Sequence, residues 1–471
     1  MKFKAITSLL AMVSHISLHT NRYLFLALIF MPLLSAASAF GKRSITIMGF
    51  GDSITEGGKG FSTYLYPLWE QLYVAGYDFA FIGPRQSESR IGMLRHCGFS
   101  GKNTEFLDQQ TDSIYRNYPA DIVLIHSGHN HFASQKPVDG IIRSYRSIIR
   151  KMRAVNPDVY IFLAQVTPSG KLPKYSYIQE LNKQIASLVE SYSSSHIILV
   201  DMATGHDWKT MTISDKVHPN KLGREYMADK WFKALAKVLG PSPRIFHPQK
   251  VAYKGLVHDD SLQLHVFRPA QSNGRALVYL FAGGWKYGSP LQFYREAKYY
   301  SEKGLTVFCV DYRISSLYHS TPSNAFEDCA DAMTFIRHHA KDYKIRPDSI
   351  ALAGASAGGN MALCLAEGVG GKEARPNLLI TYYPTLEEPS RHIASDIPPV
   401  KFIIGDKDQF TPEDTALTFV EHLRDVGSRV EFHLLKGYGH PIFHYRESLN
   451  SVFYYIRALT DDFLRRYKFL L

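Results

Sequence analysis

Cysteine is scarce in this chain of 471 residues, and the four cysteines that it has are far apart. They are Cys97, Cys309, Cys329 and Cys364. Cys309 and Cys364 lie inside apolar runs, which predicts buried small side chains rather than a disulfide framework. The sequence also has no CxxC or HExxH motif, so we expect no metal site and no cofactor.

Long hydrophobic runs are missing as well, since no run approaches the roughly 20 residues needed to span a bilayer. The run from Tyr23 to Leu34 is bounded by basic and then by small residues: Lys2, Lys4 and Arg22, and Ala37-Ser38-Ala39. This order is typical of a secretory signal peptide. We therefore expect cleavage after residues 1–39, a secreted or periplasmic protein, and no stable membrane insertion. An uncleaved anchor is the alternative.

Sequence features of nucleic-acid binding are lacking despite a formal net charge of +11. Part of the basic excess falls on a predicted helix, in the residues Arg143, Arg146, Arg150, Lys151 and Arg153. Isoleucines alternate with them, as on an amphipathic helix with a solvated face. No arginine-aromatic ladder or finger motif accompanies the basic residues, so nucleic acid is not an expected partner.

The length of the chain predicts more than one globular unit, because a single ordinary core rarely holds 471 residues. A hydrophobic content of 45% and a mean hydropathy of −0.16 are typical of soluble globular chains. The segment Gly240-Pro241-Ser242-Pro243 is rich in helix and strand breakers. We predict a first domain over 40–240, a linker over 241–255 and a second domain over 256–471.

Apolar runs alternate with helical patterns through the first domain. Strands are predicted over 45–50, 79–82, 121–126, 159–166 and 196–200, and helices over about 65–75, 137–155 and 176–192. Residues 214–220 are expected to open a last helix that runs to about 239. A polar loop is expected around residues 96–101. Alternation of this kind predicts an α/β fold with a parallel sheet and helices on both of its faces.

Four short blocks of polar and glycine residues follow these strands. They are Gly51-Asp52-Ser53-Ile54, Gly101, Gly128-x-Asn130 and Asp215-x-x-His218. Each block alone is equally consistent with a turn or a helix cap. Together and in this order they resemble the blocks of the SGNH (GDSL-like) hydrolases, over nearly all of residues 44–239. The resemblance implies a flavodoxin-like parallel sheet.

The resemblance also implies a serine hydrolase site. Ser53 would be the nucleophile, His218 the base that takes its proton, and Asp215 the carboxylate that orients the imidazole. Gly101 and the side chain of Asn130 would join the N–H of Ser53 in stabilising the oxyanion.

Two choices within this site stay open at the level of sequence. Gly98 competes with Gly101 for the role of donor, and His129 is expected to line the pocket rather than to act as a second base. The segments Asp52 to Gly57 and Gly98 to Gly101 resemble most those of carbohydrate esterases that deacetylate xylan. Lysophospholipases and sialate esterases share much of this pattern.

The second domain repeats the alternation with different motifs. Strands are predicted over 262–267, 276–281, 305–310, 350–353, 378–382, 400–404 and 430–434, with helices over about 291–303, 324–341, 357–368, 413–426 and 445–468. Gly354-Ala355-Ser356-Ala357-Gly358 stands between a strand and a helix, the context of a nucleophile elbow. Residues Phe281 to Trp285 precede it, and Gly405-Asp406-Lys407-Asp408 and Gly437-Tyr438-Gly439-His440 follow it.

Residues 250–468 resemble the esterase and lipase group of α/β-hydrolases, including its feruloyl-esterase-like and hormone-sensitive-lipase-like members. The resemblance implies Ser356 as nucleophile, His440 as base and Asp408 as acid, with Asp406 and His444 as less favoured alternatives. The implied oxyanion donors are the N–H groups of Gly283, Gly284 and Ala357. The group usually has His-Gly-Gly-Gly in this loop, and here Phe281-Ala282 replaces the first two residues.

The combined expectation is an exported serine esterase with two independent sites. Its substrate would be an acylated polysaccharide such as xylan, which would lose acetyl and feruloyl groups. A lipase or small-ester carboxylesterase is one alternative, and a catalytic domain with a degenerate binding domain is another. A non-enzymatic scaffold is a third. The oligomeric state cannot be predicted from the sequence.

Overall fold

The computed structural model describes residues 44–58, 61–194, 196–242, 246–256, 261–386, 396–443 and 451–470. The predicted signal peptide and His444 lie outside these residues. Within them, the chain forms two sheets, one from each half of the sequence.

The first sheet is parallel except for one edge strand. Its strands are β1 (Ile45–Gly51), β2 (Phe79–Phe81), β3 (Arg85–Ser89), β4 (Gly92–Gly98), β5 (Ile122–His126), β6 (Tyr160–Ala164) and β7 (Ile197–Val200). They lie in the order β3-β4-β1-β5-β6-β7, with β2 also paired to β1. The C-terminal ends of β4, β1 and β5 are therefore neighbours, which brings the loops after them together.

Helices cover both faces of this sheet, as predicted. They are α1 (Ser53–Glu56), α2 (Leu65–Val74), α3 (Thr104–Asn117), α4 (Val138–Val155), α5 (Ile178–Glu190), α6 (Trp208–Met211) and α7 (Lys221–Leu239). Alternate side chains of β1 point to opposite faces. Ile47 packs on the side of α2 and α7, and Met48 packs on the side of α3, α4 and α5.

The prediction of a polar loop around residues 96–101 is wrong for residues 96–98, because β4 continues through Gly98. It pairs with β3 in an antiparallel hairpin. The sequence Arg-Gln-Ser-Glu-Ser of β3 has no apolar residue, so it gave no strand signal. This hairpin, residues 85–98, is called the β3–β4 hairpin below.

The second sheet has the order β15-β14-β13-β12-β10-β11-β9-β8. Its strands are β8 (Gln249–Gly255), β9 (Ser261–Phe267), β10 (Ala276–Leu280), β11 (Thr306–Val310), β12 (Ile350–Ala355), β13 (Leu378–Tyr382), β14 (Val400–Gly405) and β15 (Val430–Leu435). The strands from β10 onward are parallel, whereas β9 and β8 run antiparallel. Strand β8 lies within the segment that the sequence predicted to be a linker.

The helices of the second half are α8 (Tyr294–Ser301), α9 (Ser315–Tyr318), α10 (Pro322–His338), α11 (Ala357–Ala366), α12 (Glu413–Asp425) and α13 (Ser451–Arg466). One apolar cluster joins all of these helices except α9 to the sheet. All four cysteines are buried and free, which confirms the prediction for Cys309 and Cys364. None of the helices in the described ranges is long and apolar enough to cross a membrane.

Candidate active sites

The first candidate nucleophile lies where β1 ends and α1 begins. A β-carbon on Gly51 would lie 2.2 Å from the carbonyl oxygen of His126, so only glycine lets β1 approach β5 this closely. Asp52 caps α1 by accepting a hydrogen bond from the N–H of Ile54 at 3.0 Å. Ser53 then begins the helix at the C-terminal edge of the sheet.

His218 and Asp215 complete a hydrogen-bonded chain to this serine. Ser53 Oγ is 2.8 Å from His218 Nε2, and His218 Nδ1 is 2.5 Å from Asp215 Oδ2. The other carboxylate oxygen of Asp215 accepts the N–H groups of Val217 and His218. Partial burial opposes ionisation, but these hydrogen bonds hold the pKa of Asp215 below its usual value. Asp215 is therefore a carboxylate at neutral pH.

Phe61 is a neighbour of this triad that sequence reasoning missed. Its ring stacks on the imidazole of His218 with the ring centroids 4.1 Å apart. No local signal marks Phe61, because it follows a glycine-rich stretch of sequence and reaches His218 only through the fold. The stacking limits the orientations open to the imidazole.

The predicted oxyanion donors of the first site lie on adjacent loops. The amide nitrogen of Asn130 donates to the carbonyl of Lys102 at 3.0 Å, which places the Asn130 side chain beside Gly101. The N–H of Gly98 donates to His96 Nδ1 at 3.0 Å, whereas no hydrogen bond between described residues uses the N–H of Gly101. Of the two N–H groups, that of Gly101 is therefore the one that remains available to an oxyanion.

His129 lies near Asp52 and is almost fully buried. Its Nδ1 is 3.9 Å from Asp52 Oδ2. Burial, with His126 and His218 nearby, holds the pKa of His129 well below its usual value. The side chain is thus a buried, neutral imidazole at neutral pH.

We expect Asp52→Asn to stabilise the protein at pH 8. Burial raises the pKa of Asp52 to about 6, from an ordinary value of 3.8. The stability that this group contributes is therefore complete below pH 3.8, declines as the pH rises toward 6, and is absent above that. Asparagine resembles the neutral acid and can still cap α1, so a gain of about 1–3 kcal/mol is expected at pH 8.

Urea unfolding at pH 4 and pH 8 measures this effect. The gain should shrink at pH 4, where Asp52 is already protonated. Asp207→Asn serves as a matched control, because Asp207 caps α6 in the same way through the N–H of Lys209 but is exposed. A wild type more stable than Asp52→Asn at pH 8 would contradict the expectation.

The second candidate nucleophile is held in a strained turn between β12 and α11. Ser356 has φ 51° and ψ −119°, a conformation that residues with a β-carbon rarely adopt. A β-carbon on Gly354 would lie 2.2 Å from the carbonyl oxygen of Gly358. The small residues on either side of Ser356 are therefore what permits the nucleophile elbow.

Ser356 heads a second hydrogen-bonded chain. Its Oγ is 2.8 Å from His440 Nε2, and His440 Nδ1 is 2.7 Å from Asp408 Oδ2. Asp408 Oδ1 accepts the N–H groups of Phe410 and Thr411. The alternative acid, Asp406, instead accepts the N–H of Gly437 at 2.7 Å.

The oxyanion loop of the second site, defined here as residues 281–288, follows β10 beside the elbow. Gly283 and Gly284 have φ angles of 137° and 59°, and no hydrogen bond between described residues uses their N–H groups. As the first residue of α11, Ala357 has an N–H without an acceptor inside the helix. Three backbone donors are thus available near Ser356.

The departure from His-Gly at the start of this loop has a packing role. Phe281 stacks on Tyr312 with the ring centroids 3.8 Å apart, and the hydroxyl of Tyr312 donates to the carbonyl of Phe281. The N–H of Ala282 donates to Gln292 Oε1 at 2.7 Å. Phe281 and Ala282 therefore hold the loop in place, and they leave the N–H groups of its glycines free to bind an oxyanion.

The two acid–histidine pairs differ in exposure, and this predicts different costs of removing the carboxylate. The side chains of His218 and Asp215 are 23% and 35% exposed, whereas those of His440 and Asp408 are 8% and 0% exposed. Water can replace Asp215 as a partner of the imidazole, but the buried position of Asp408 excludes it. Asparagine at either position favours the wrong imidazole tautomer.

We therefore expect Asp408→Asn to lower kcat of the second site by about 10³- to 10⁴-fold. Asp215→Asn should lower kcat of the first site by about 10- to 100-fold, because solvent offsets part of the loss. Steady-state kinetics on substrates specific to each site measure both values. Equal losses at the two sites would contradict the role assigned to burial.

Comparison with known proteins finds a different family model in each half of the chain. Residues 50–226 match the model of the GDSL-like Lipase/Acylhydrolase family. Residues 262–373 match that of the BD-FAE family, which is of the α/β-hydrolase, feruloyl-esterase-like kind. The chain thus combines an SGNH-type domain with an α/β-hydrolase domain, and this confirms the predicted fold class and the resemblance.

Particular relatives match only parts of the chain. An acetylxylan esterase of Xylanibacter ruminicola is 28% identical over 137 residues, which are 29% of this chain and 28% of the relative. The carboxylesterase/phospholipase LipF of Mycobacterium tuberculosis is 35% identical over 121 residues, which are 26% of this chain and 31% of the relative. The chain therefore spans less than a third of the length of these curated relatives.

A solved structure is also similar to part of the chain. Esterase 2 of Thermogutta terrifontis, phosphoramylated by tabun, is 26% identical, with a TM-score of 0.45. The match covers 47% of this chain and 96% of the esterase.

Proposed function

We propose that the protein is an exported carboxylic ester hydrolase with two separate serine sites, which removes acyl groups from a polysaccharide such as xylan. The observation that carries the proposal is the pair of complete hydrogen-bonded chains. One runs from Ser53 through His218, and the other runs from Ser356 through His440. Each chain ends on a carboxylate and lies beside backbone N–H groups that can bind an oxyanion.

The geometry supports the same two-step reaction at both sites. The histidine Nε2 takes the proton of the serine hydroxyl as its oxygen bonds to the ester carbonyl carbon. The backbone donors stabilise the negative charge on the carbonyl oxygen. The bond to the alcohol then breaks, and the alcohol leaves with the proton from the histidine. Water attacks the acyl-serine in the same way and releases the carboxylic acid.

The polysaccharide substrate is supported by similarity and by the pairing of two sites. The name of one relative specifies an acetylxylan esterase, and one family model is feruloyl-esterase-like. A polymer that carries both acetyl and feruloyl esters would use two esterases in a single chain. We therefore assign acetyl esters to the first site and feruloyl esters to the second.

Export is the third part of the proposal, supported by the leader pattern in residues 1–39. Expression in a secreting host, followed by the intact mass of the protein outside the cytoplasm, tests it. A mass that lacks residues 1–39 is expected. A protein that keeps these residues and stays with the membrane fraction would support the uncleaved anchor.

A small-ester or lipid substrate is the second candidate for the Ser356 site. Phe410 is 60% exposed, and its ring lies 4.8 Å from that of His440, edge to face. An exposed aromatic ring at the catalytic histidine suits an apolar acyl chain. The name of LipF, carboxylesterase/phospholipase, is in keeping with this candidate.

Substrate profiles separate the two candidates. The mature protein would be assayed for acetate release from acetylated xylan, for hydrolysis of methyl ferulate, and on 4-nitrophenyl esters from acetate to decanoate. Acetate release that depends on Ser53 and ferulate hydrolysis that depends on Ser356 support the proposal. A Ser356-dependent rate that rises with chain length favours the lipid candidate, and no hydrolysis of any ester would overturn both.

A further inference from the structure

The β3–β4 hairpin of the first domain reaches the oxyanion loop of the second site. Arg90, at the turn of the hairpin, is paired twice with Gly288, at the end of the loop. The N–H of Gly288 donates to the carbonyl of Arg90 at 2.8 Å, and Arg90 Nε donates to the carbonyl of Gly288 at 2.8 Å. Both polar backbone groups of Gly288 are thus held by one residue of the other domain.

The guanidinium of Arg90 is itself fixed by a buried carboxylate. Its two terminal nitrogens donate to both oxygens of Asp311, one of them at 3.1 Å. Each of the two side chains is only 10% exposed. Bidentate geometry fixes the plane of the guanidinium as well as its position, and therefore fixes the direction in which Nε points.

Arg90 also contacts the start of the same loop. Its guanidinium carbon lies 5.7 Å from the centroid of the Phe281 ring, within the range of a cation–π contact. The two ends of the loop touch each other tightly. A β-carbon on Gly288 would lie 2.3 Å from the carbonyl oxygen of Ala282. The N–H of Tyr287, next to Gly288, donates to the carbonyl of Gly283 at 3.0 Å, so the position of Gly288 is coupled to that of the donor Gly283.

We propose that Arg90 of the first domain is a positioning residue for the oxyanion hole of the Ser356 site. It acts through Gly288 and Phe281, which bound the loop that carries the donor glycines. The second site is thus completed by a residue of the first domain. This inference rests on the proposed esterase function of Ser356.

The test compares Arg90→Ala, Arg90→Lys and wild type in the full chain. An oxyanion donor acts mainly in the transition state. Arg90→Ala should therefore lower kcat for Ser356-dependent hydrolysis of 4-nitrophenyl acetate by about 10- to 100-fold, with KM changed less than about twofold. It should also slow labelling of Ser356 by a fluorophosphonate. Arg90→Lys keeps the positive charge but loses the planar, bidentate guanidinium, so an intermediate kcat is expected.

Two controls separate positioning from a loss of folding. Arg95→Met changes an exposed arginine of the same hairpin, which donates to the carbonyl of Gly83 in its own domain, and should leave both sites unchanged. Ser53-dependent activity should stay unchanged in every variant. Ethylguanidinium added to Arg90→Ala should restore kcat at the second site in a saturable manner, because it can occupy the space beside Asp311.

Each other outcome counts against the inference. A second-site kcat for Arg90→Ala within twofold of wild type would overturn it. So would a loss of both activities in proportion to unfolded protein, without rescue by ethylguanidinium and without a separate effect of Arg90→Lys. If wild type shows neither Ser356-dependent hydrolysis nor labelling of Ser356, the proposed function itself fails, and this result is distinct from the others.

Discussion

Ser53→Ala is expected to lower the activity of the first site by at least about 10³-fold. The reason is that the Ser53 hydroxyl is the only group in the first triad that can form the acyl intermediate, and alanine has no nucleophile to offer. The imidazole of His218 would keep its bond to Asp215 but would have no proton to accept. Acetate release from acetylated xylan measures the loss.

The second site provides the internal control for this variant. Ser53 lies at the end of a strand of the first sheet and Ser356 at the end of a strand of the second. Hydrolysis of methyl ferulate should therefore stay within about twofold of wild type. Ser53 is also small and lies at the edge of the sheet, so the urea midpoint should change little. Retention of full acetate release by Ser53→Ala would mean that acetyl esters are cleaved elsewhere in the chain.

Ser356→Ala is expected to have an equally large effect on the second site, again at least about 10³-fold. The backbone of Ser356 is strained, because this residue has φ 51° in the elbow. Alanine keeps the β-carbon that causes this strain, so little stability is expected to return. Glycine tolerates the conformation, and Ser356→Gly should therefore be as inactive as Ser356→Ala but more stable, by about 1 kcal/mol.

Methyl ferulate hydrolysis and thermal unfolding measure the two effects of these variants. Acetate release through Ser53 should be the same in Ser356→Ala, Ser356→Gly and wild type. Full ferulate hydrolysis by Ser356→Ala would favour a degenerate second domain, which was one of the alternatives from sequence. A Ser356→Gly variant less stable than Ser356→Ala would show that the elbow stores no strain at this residue.

Elements with continuous apolar runs could be predicted from sequence alone. Strands such as β5 and β12 are buried on both faces, and their residues are apolar at nearly every position. Helix α3 was not predicted, because its buried face is narrow and includes Thr104 and Thr111. The β3–β4 hairpin was not predicted, because most of it lies outside the hydrophobic core.

The catalytic residues of both sites can be predicted from local motifs, whereas the residues that hold them in position cannot. Each nucleophile, base and acid stands in a short block at the end of a strand, and the structure brings each predicted set together. Phe61 and Arg90 stand in no such block. Arg90 and its partner Asp311 are 221 positions apart, so only the packing of the two halves brings them into contact. The catalytic roles themselves stay predictions until they are measured.

The presence of two independent nucleophiles is the central claim, and the intact mass after fluorophosphonate treatment tests it most directly. Wild type should gain two probe masses, the Ser53→Ala and Ser356→Ala variants one each, and the double variant none. Peptide mapping should place the probe on Ser53 and Ser356. A wild type that gains a single probe mass, or a double variant that is still labelled, would contradict the two-site account.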